Sequence, residues 1–211
     1  MRRLLIATRS AHKLEELRTL LDLGDTELVS LDDVGVSDEA IEDATSFRGN
    51  AIGKARFYAG LSGLPTLADD SGLEVDALSG GPGVRTRRYA GESATDEQNN
   101  TKLLGALAGV GSRNRTARYR CVLAFIDPAE ESRGERPWVT TRSGTMEGRI
   151  ALEPRGDGGF GYDPIFEPAR EPIGGRTVGE MTAAEKHAIS HRGRAARAMA
   201  RHLRGRGIRD D

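Results

Sequence analysis

We predict a mixed α/β protein, a single domain over residues 1–211, from three features of the sequence. Short apolar runs typical of buried strands alternate with helical segments in the first third of the chain. Two long β-like runs, 116–126 and 138–150, are separated by a short connection around 132–134, which predicts an antiparallel hairpin. A length of 211 residues fits one domain, and this order of strands and helices fits the α/β class.

The first third of the chain is predicted to contain three strands and two helices. The strands are expected at 3–8, 26–31 and 65–68, and the helices at 11–23 and 46–59. Ser10 is a suitable N-cap for the first helix, and Gly24 is its expected end. Thr45 or Ser46 is expected to cap the second helix, which follows an acidic stretch at 32–43.

The rest of the chain is predicted to contain two further helices around the β-like runs. A glycine-rich segment at 72–91 has no helical pattern, and glycines return in a loop at 156–161. Thr95 and Gln98 form a capping-box sequence that predicts a helix over 96–108. Thr182 and Glu185 form a second one, which predicts a helix from 183 to about 203.

Composition and charge exclude several classes of protein. Lys and Arg number 31 against 32 Asp and Glu, so a net charge of −1 gives no general attraction to nucleic acid or anionic membranes. No run of 18 apolar residues is present, and the apolar run near the N-terminus is too short for a signal peptide. Cys121 is the single cysteine, which excludes an intramolecular disulfide and a cysteine-rich zinc site. We therefore expect a soluble, cytoplasmic protein that binds neither nucleic acid nor membrane.

The turn at 8–13, between a predicted strand and helix, is the first candidate site. Backbone N–H groups at a helix start favour anions, and Thr8 and Ser10 add hydroxyl groups. Lys13 adds a positive charge, so the parts of a phosphate site are present, although the segment is not a GxxxxGK[ST] loop. The alternative is an ordinary strand–helix turn with a surface lysine.

The second candidate is the sequence Asp69-Asp70-Ser71-Gly72, predicted to lie at the carboxyl end of a buried strand. Ligands of α/β sheets bind at such ends. Adjacent side chains of a strand point to opposite faces, so one carboxylate can face a cleft while the other orients loops. Carboxylates suit Mg²⁺, which binds one or two of them together with substrate phosphates. The alternative is a solvated turn, since these residue types also favour turns.

Two further segments contain residues suited to a nucleotide. In the loop at 158–164, Phe160 and Tyr162 are candidates for stacking on a base and Asp163 for accepting from a base N–H, unless the loop simply packs on the core. Near the C-terminus, His187 and His191 are spaced i,i+4 on the predicted last helix. That spacing is also compatible with zinc, but HExxH and a third ligand are missing. The ordinary alternative is a solvated basic helix end.

Five stretches of the chain together resemble one enzyme family. They are LLIATRSAHKLEEL, TSFRGNAIGKARFYA, LADDSGLEVDALSGGPGVRTRRYAG, RGDGGFGYDPIF and EMTAAEKHAISHRGRA, and they span residues 4–195. In this order and spacing they resemble the inosine triphosphate pyrophosphatase-like family, which acts on non-canonical purine nucleotides. The resemblance implies an elongated mixed β-sheet flanked by helices, with two lobes and a cleft between them, in a homodimer. It also implies Mg²⁺-dependent hydrolysis of dITP, ITP or XTP to the monophosphate and pyrophosphate, which removes these nucleotides before incorporation into DNA or RNA.

The resemblance also implies roles for individual residues. The turn at 8–13 would hold the phosphates, and Asp70 would bind metal and accept a proton from the attacking water. Lys186, His191 and Arg192 would close over the phosphates and the base, with His191 and Arg192 donating to the O6 carbonyl. The implied substrate-binding residues are Thr8, Arg9, Ser10, Ala11, His12, Lys13, Ser71, Phe160, Gly161, Tyr162, Asp163, Lys186, His191 and Arg192.

The sequence departs from the family pattern at several positions. Ser10 replaces the usual Asn, and Gly49 replaces the usual Glu before Asn50. Arg85 and Arg87 stand where the family more often has Tyr and Ala. For the second metal ligand beside Asp70 we choose Glu42, with Glu39 and Asp43 as alternatives, because the local alignment is imperfect.

Two other functions are compatible with the sequence alone. One is a pyrophosphatase acting on methylated or pyrimidine nucleotides, which would differ in its base pocket. The other is a nucleic-acid binder using the seven arginines between 192 and 209, against which the net charge of −1 argues.

Overall fold

A computed structural model of the chain describes residues 2–134 and 139–205, with six strands and six helices in that part. In chain order they are β1 Arg2–Ala7, α1 Ala11–Leu20, β2 Thr26–Val29, α2 Phe47–Ser62, β3 Thr66–Val75, α3 Asp96–Ala106, β4 Thr116–Ile126, α4 Pro128–Ser132, β5 Thr140–Ile150, β6 Phe166–Pro168, α5 Ala183–Ile189 and α6 His191–Gly205. Short 3₁₀ turns connect several of these elements, among them Gly83–Arg88 and Asp163–Ile165.

The six strands form one mixed sheet in the order β2-β1-β3-β4-β5-β6. β1 pairs in parallel with β2 and with β3, whereas β5 and β6 are antiparallel. β4 and β5 are hydrogen-bonded neighbours, and the short helix α4 lies in the connection between them. The prediction of a mixed α/β fold is confirmed. Trp138, the first residue of the predicted fifth strand, lies outside the described residues.

The chain forms two compact units, each with its own core. The first unit comprises the described residues of Met1–Asp70, Cys121–Gly144 and Arg192–Asp211, and the second those of Ser71–Arg120 and Thr145–His191. In the first unit, apolar residues of β1, β3, β4 and α6 pack with α1, and a second cluster joins the sheet to α2. In the second unit, residues of β3, β4 and β5 pack with α3 and with the segment 162–166.

Local signals fix most helix starts. Ser46 caps α2, and the capping boxes of Thr95 and Thr182 begin α3 and α5 as predicted. The predicted ends are less accurate. α1 ends at Leu20, four residues before Gly24, whereas α2 continues past residue 59 to Ser62 and ends at Gly63, whose φ of 67° is left-handed.

The third strand is longer than predicted, and the prediction that Asp69 and Asp70 end it is wrong. β3 runs for 10 residues to Val75, so both aspartates and Ser71 lie within it. The side chains from Thr66 to Leu73 are all buried. Buried positive charges next to the aspartates allow the strand to continue through residues that otherwise favour a turn.

The predicted last helix is two helices, because Ser190 interrupts it. Ser190 has an extended backbone (φ −63°, ψ 152°), and its N–H caps α5 by donating to Lys186 O at 2.8 Å. His191 begins α6, so His187 and His191 do not share a helical face. Within the described residues no group of three or more His, Cys, Asp or Glu side chains has metal-binding geometry. In the same residues, no helix combines the length and apolar character needed to cross a bilayer.

Candidate active site

The turn between β1 and α1 has the geometry of a capped helix start. Ser10 is the N-cap, and its Oγ accepts a hydrogen bond from the Lys13 N–H at 3.4 Å. The Ser10 N–H donates to Thr8 Oγ1 at 3.2 Å. Ala11 and His12 are exposed. A cavity of about 110 Å³ adjoins the turn, lined by residues 8–11, Leu14 and residues 30–32.

Asp69 and Asp70 lie in β3, beyond the point at which the neighbouring strand β1 ends. The last paired residue of β1 is Ala7, opposite Ala68. The two aspartates therefore extend beyond the carboxyl end of a parallel neighbour, which is where α/β sheets bind ligands. Their side chains point to opposite faces of the strand and have different partners.

Asp69 is surrounded by positive charge. Its Oδ1 lies 2.6 Å from Lys13 Nζ, and its Oδ2 accepts from Arg192 Nε at 3.1 Å and from Cys121 Sγ at 3.0 Å. Burial alone would raise the pKa of Asp69, but the charges of Lys13 and Arg192 hold it well below the ordinary value of 3.8. Asp69 is therefore ionised at neutral pH and positions Lys13 beside the turn.

Arg192 is buried and pairs with two acidic side chains of the first unit. Its side chain is 2% exposed, Nε donates to Asp69, and Nη1 pairs with Glu16 Oε2 on α1. These acids raise the pKa of Arg192 despite its burial. These ion pairs link α6 to β3 and α1, and the role of Arg192 as a donor to the base stays a prediction.

Asp70 has a different environment from Asp69. Its Oδ1 accepts from Lys54 Nζ at 3.1 Å and its Oδ2 from Asn50 Nδ2 at 3.2 Å, both on α2. Burial raises the pKa of Asp70 above 3.8, and the charge of Lys54 offsets only part of this effect. Burial and neighbouring charges thus shift the pKa values of the two adjacent aspartates in opposite directions.

Lys54 lies between two carboxylates. Its Nζ is 3.0 Å from Glu42 Oε1 and 3.1 Å from Asp70 Oδ1. Burial alone would lower the pKa of Lys54, but the charges of Asp70 and Glu42 raise it above 10.5. Of the three acids considered as a second metal ligand, Glu42 shares this cation with Asp70, whereas Glu39 and Asp43 are exposed.

The segment 36–44, which carries Glu42, has no regular secondary structure and is held by side chains of its neighbours. Arg9 donates to two of its carbonyl oxygens at 2.6 and 3.1 Å. On α2, Tyr58 Oη accepts from a backbone N–H of the segment at 3.2 Å, and Asn50 Oδ1 from another at 3.0 Å. The guanidinium of Arg9 therefore positions the segment carrying Glu42, and its role in holding phosphate stays a prediction.

In the second unit, the candidate base-binding residues converge on Asp163. Its Oδ1 accepts from Tyr119 Oη at 3.2 Å, and its Oδ2 accepts from Lys186 Nζ at 2.8 Å and from the Phe160 N–H at 3.0 Å. Gly159 has a φ of 77°, and any Cβ at this position would overlap the Asp163 carboxylate. Asp163 therefore anchors the loop and Lys186 and is not simply an acceptor for a base.

The aromatic residues of this loop have separate roles. Phe160 and Gly161 are half-buried, and Lys186 Nζ lies 4.4 Å from the centre of the Phe160 ring. Tyr162 is buried in the core, and its hydroxyl donates to Thr86 O at 2.8 Å, which excludes the predicted stacking of its ring on a base.

Two further predicted residues of the second unit are buried. Ser71 is 7% exposed in β3, and His191 is 5% exposed. The His191 ring stacks on Tyr119, with centroids 4.7 Å apart and an interplanar angle of 6°.

A family model described as the Ham1 family matches residues 4–202. The chain belongs to the Ham1 family. A relative named dITP/XTP pyrophosphatase from Geobacter sulfurreducens is 46% identical over 208 residues, covering 99% of this chain and 100% of the relative. A solved HAM1 protein from Coxiella burnetii superposes with a TM-score of 0.84 at 39% identity, over 97% of this chain and 100% of that one. A solved nucleoside-triphosphatase, or dITP/XTP pyrophosphatase, from Mycobacterium abscessus superposes with a TM-score of 0.74 at 41% identity. The match covers 93% of this chain and 98% of that one.

The donor set of this Ham1-family chain fits a hard divalent cation. The carboxylates of Glu42 and Asp70 both contact Lys54 Nζ and therefore lie near one another. Carboxylate oxygens are preferred ligands of Mg²⁺, which takes its remaining ligands from water and substrate phosphates. Two protein carboxylates are therefore sufficient.

Packing in this Ham1-family chain accounts for one departure from the family pattern. A Cβ at Gly49 would lie 2.7 Å from Ala44 Cβ and 3.2 Å from Ser46 Oγ, so a glutamate does not fit there. Arg85 and Arg87 are exposed on a 3₁₀ turn of the second unit, and nothing in their surroundings explains them.

Sequence reasoning did not assign a site role to Glu16, Asn50, Lys54, Tyr119 or Cys121. A signal existed for Lys54, because it is one of four lysines in an arginine-rich chain and lies within a stretch matching the Ham1 family. The other four residues are ordinary in their local sequence, and their contacts come from distant parts of the chain.

Proposed function

We propose that this chain hydrolyses dITP, ITP and XTP to the nucleoside monophosphate and pyrophosphate. The observation that carries the proposal is the convergence of Glu42 and Asp70 on Lys54 at the carboxyl end of β1. Membership of the Ham1 family and the names of the relatives support the same activity. The biological role would be to remove these nucleotides before a polymerase incorporates them.

The first unit would bind metal and phosphates. Glu42 and Asp70 would hold Mg²⁺, which, when bound, supplies positive charge to phosphate oxygens and lowers the pKa of bound water. Lys13 and the N–H groups at the start of α1 would bind phosphate oxygens. Lys54 would offset the remaining negative charge, since phosphoryl transfer depends chiefly on positioning and charge neutralisation.

Asp70 would orient the attacking water and accept its proton. Hydrolysis adds water oxygen to phosphorus and breaks the bridge between the α- and β-phosphates, so that pyrophosphate leaves. Burial raises the pKa of Asp70, which favours proton acceptance, whereas Mg²⁺ held by the same carboxylate would lower that pKa. Asp69, with its lowered pKa, remains ionised and holds Lys13.

The second unit would select the base. Inosine and xanthine have a carbonyl at C6 where adenine has an amino group, and guanine adds an amino group at C2. A pocket that donates to O6 and offers no acceptor to the C2 amino group rejects both ordinary purines. An unpaired buried polar group costs about 1–3 kcal/mol, which is roughly tenfold or more in rate. We assign the base contacts to Phe160, Gly161, Lys186 and His191.

Other parts of the proposal rest on the resemblance and on the near-neutral charge. The active form would be a homodimer in the cytoplasm, with Mg²⁺ as cofactor and a nucleoside triphosphate as its small-molecule partner. Binding to nucleic acid or to membranes would not be required.

A substrate panel tests the proposed function. We expect rapid pyrophosphate release from ITP and XTP, slow release from GTP, ATP and dTTP, and loss of activity when EDTA removes divalent cations. Pyrophosphate and orthophosphate should be assayed separately, because release of orthophosphate would mean cleavage at the γ-phosphate. Equal turnover of dTTP or GTP would contradict the base selection.

Replacing Lys54 by methionine is expected to lower kcat for ITP by at least about tenfold. The substitution retains the length of the side chain but removes the charge shared by Glu42 and Asp70. The measurement is steady-state pyrophosphate release at saturating Mg²⁺. The matched control is Lys102→Met, because Lys102 is exposed and bonded to Tyr89 O, and this variant should retain wild-type turnover. Retention of half the wild-type kcat by Lys54→Met would contradict the assigned role.

A further inference from the structure

Tyr119 occupies a central position among the candidate base-binding residues of the second unit. It lies on β4, and its side chain is buried in the second unit's core. It touches two residues assigned to the site, Asp163 through its hydroxyl and His191 through its ring. Neither the sequence motifs nor the function proposed above uses Tyr119.

The hydroxyl of Tyr119 acts as a fixed donor. Burial, followed by the charge of Asp163, raises the pKa of Tyr119 well above 10, so the phenol remains protonated. It donates to Asp163 Oδ1 at 3.2 Å, which leaves Oδ2 for Lys186 and for the Phe160 N–H. A hydrogen bond to a buried carboxylate fixes the plane of that carboxylate. The orientation of Asp163 in turn determines where Lys186 Nζ and the loop backbone lie.

The ring of Tyr119 determines the orientation of His191. The two rings are nearly parallel, with an interplanar angle of 6° and centroids 4.7 Å apart, and His191 is 5% exposed. Tyr119 also packs against Phe166, with ring centroids 4.7 Å apart. The imidazole is therefore held against an aromatic pair that is itself part of the core, which limits its rotation.

We propose that Tyr119 is a positioning residue that sets purine discrimination, because it holds Asp163 with its hydroxyl and His191 with its ring. The inference rests on the proposed function and deepens it. Tyr119 holds His191, which would contact the base directly. It also holds Asp163, which in turn positions Lys186 and Phe160. A change at Tyr119 therefore moves the donors that distinguish a C6 carbonyl from an amino group, with little effect on the phosphate contacts of the first unit.

Two variants separate the contribution of the hydroxyl from that of the ring. Tyr119→Phe removes the hydrogen bond to Asp163 and preserves the stack, and we expect it to lower the ITP/GTP ratio of kcat/KM by about fivefold to tenfold. Tyr119→Leu also removes the stack on His191, so its ratio should fall further. Thermal unfolding of each variant is measured in parallel, and the ratio is compared only at temperatures where both proteins are folded. If Tyr119→Leu does not fold, the comparison of Tyr119→Phe with the wild type decides the question.

The control is Tyr58→Phe, which likewise removes a buried tyrosine hydroxyl. The Tyr58 hydroxyl makes hydrogen bonds to the backbone of the segment carrying Glu42. This loss affects every nucleotide alike, so both kcat/KM values should change together and their ratio should remain constant. A general loss of stability would act in the same proportional way.

Three outcomes are distinguishable. A reduced ratio in Tyr119→Phe with a constant ratio in Tyr58→Phe supports the inference. If the wild type prefers ITP and both Tyr119 variants keep the same ITP/GTP ratio of kcat/KM, the role of Tyr119 is overturned and the proposed function is left intact. A wild type that hydrolyses GTP as fast as ITP overturns the base selection and this inference together.

Discussion

Replacing Asp70 by asparagine is expected to lower kcat for ITP by about 100-fold or more while the fold is retained. Asparagine preserves the shape of the side chain and can still accept from Lys54. It cannot, however, accept a proton, and its amide is a poor ligand for Mg²⁺ compared with a carboxylate. The amide NH₂ would also face Asn50 Nδ2, which now donates to Asp70 at 3.2 Å. Steady-state kinetics with a circular dichroism spectrum test this expectation.

The matched control for this variant is Asp76→Asn. Asp76 is an exposed acid that accepts from Thr116 and Arg118, and the pKa of Asp76 is lowered first by the hydrogen bond from Thr116. The same conservative change there should leave turnover within about twofold, as expected for a surface position. If Asp70→Asn retained more than a tenth of wild-type turnover with an unchanged fold, its role in accepting a proton would be abandoned.

Replacing Arg192 by leucine is expected to destabilise the protein by about 3–5 kcal/mol. The substitution removes the cation that Glu16 and Asp69 share and leaves both acids buried, and of these two acids Asp69 also pairs with Lys13. For a chain of this size each kcal/mol lowers Tm by about 2–4 °C, so a fall of roughly 10 °C should be observed. Differential scanning calorimetry gives the shift in Tm, and urea unfolding gives the free energy of unfolding.

The control for Arg192 lies on the same helix. Arg204 of α6 also pairs with an acid of the first unit, Asp22, but its side chain is 49% exposed. An exposed pair contributes at most about 1 kcal/mol, so Arg204→Leu should shift Tm by no more than a few degrees. Equal shifts for the two variants would mean that burial of the Arg192 network has no special effect on stability.

The sequence predicts the features of this chain that depend on neighbouring residues. The capping boxes of Thr95 and Thr182 act within four residues, and both form where the pattern indicates. The interruption at Ser190 has no such signal, because neither glycine nor proline marks it. The continuation of β3 through Asp69 and Asp70 depends on cations from α1, α2 and α6, which a local pattern cannot include.

The candidate site was predictable to a similar extent. The local pattern and the family resemblance predict Asp70 as a metal ligand and Lys13 as a phosphate contact, because metal and phosphate binding require a carboxylate and a cation. Arg192 has the residue type of a ligand contact, but its burial against Glu16 and Asp69 depends on residues far away in the sequence. Tyr119 is one aromatic residue in an alternating strand, and its role depends on the distant residues Asp163 and His191.

Neither compact unit of this chain is one continuous stretch of sequence. The chain passes between the units four times, after residues 70, 120, 144 and 191, and three of these boundaries fall inside β3, β4 and β5. No single contiguous gene fragment therefore encodes either unit alone, and recombination cannot exchange one of them as a module. A change in one unit therefore arises within the same gene that encodes the other, so Glu42, Asp70 and the residues around Tyr119 are inherited together.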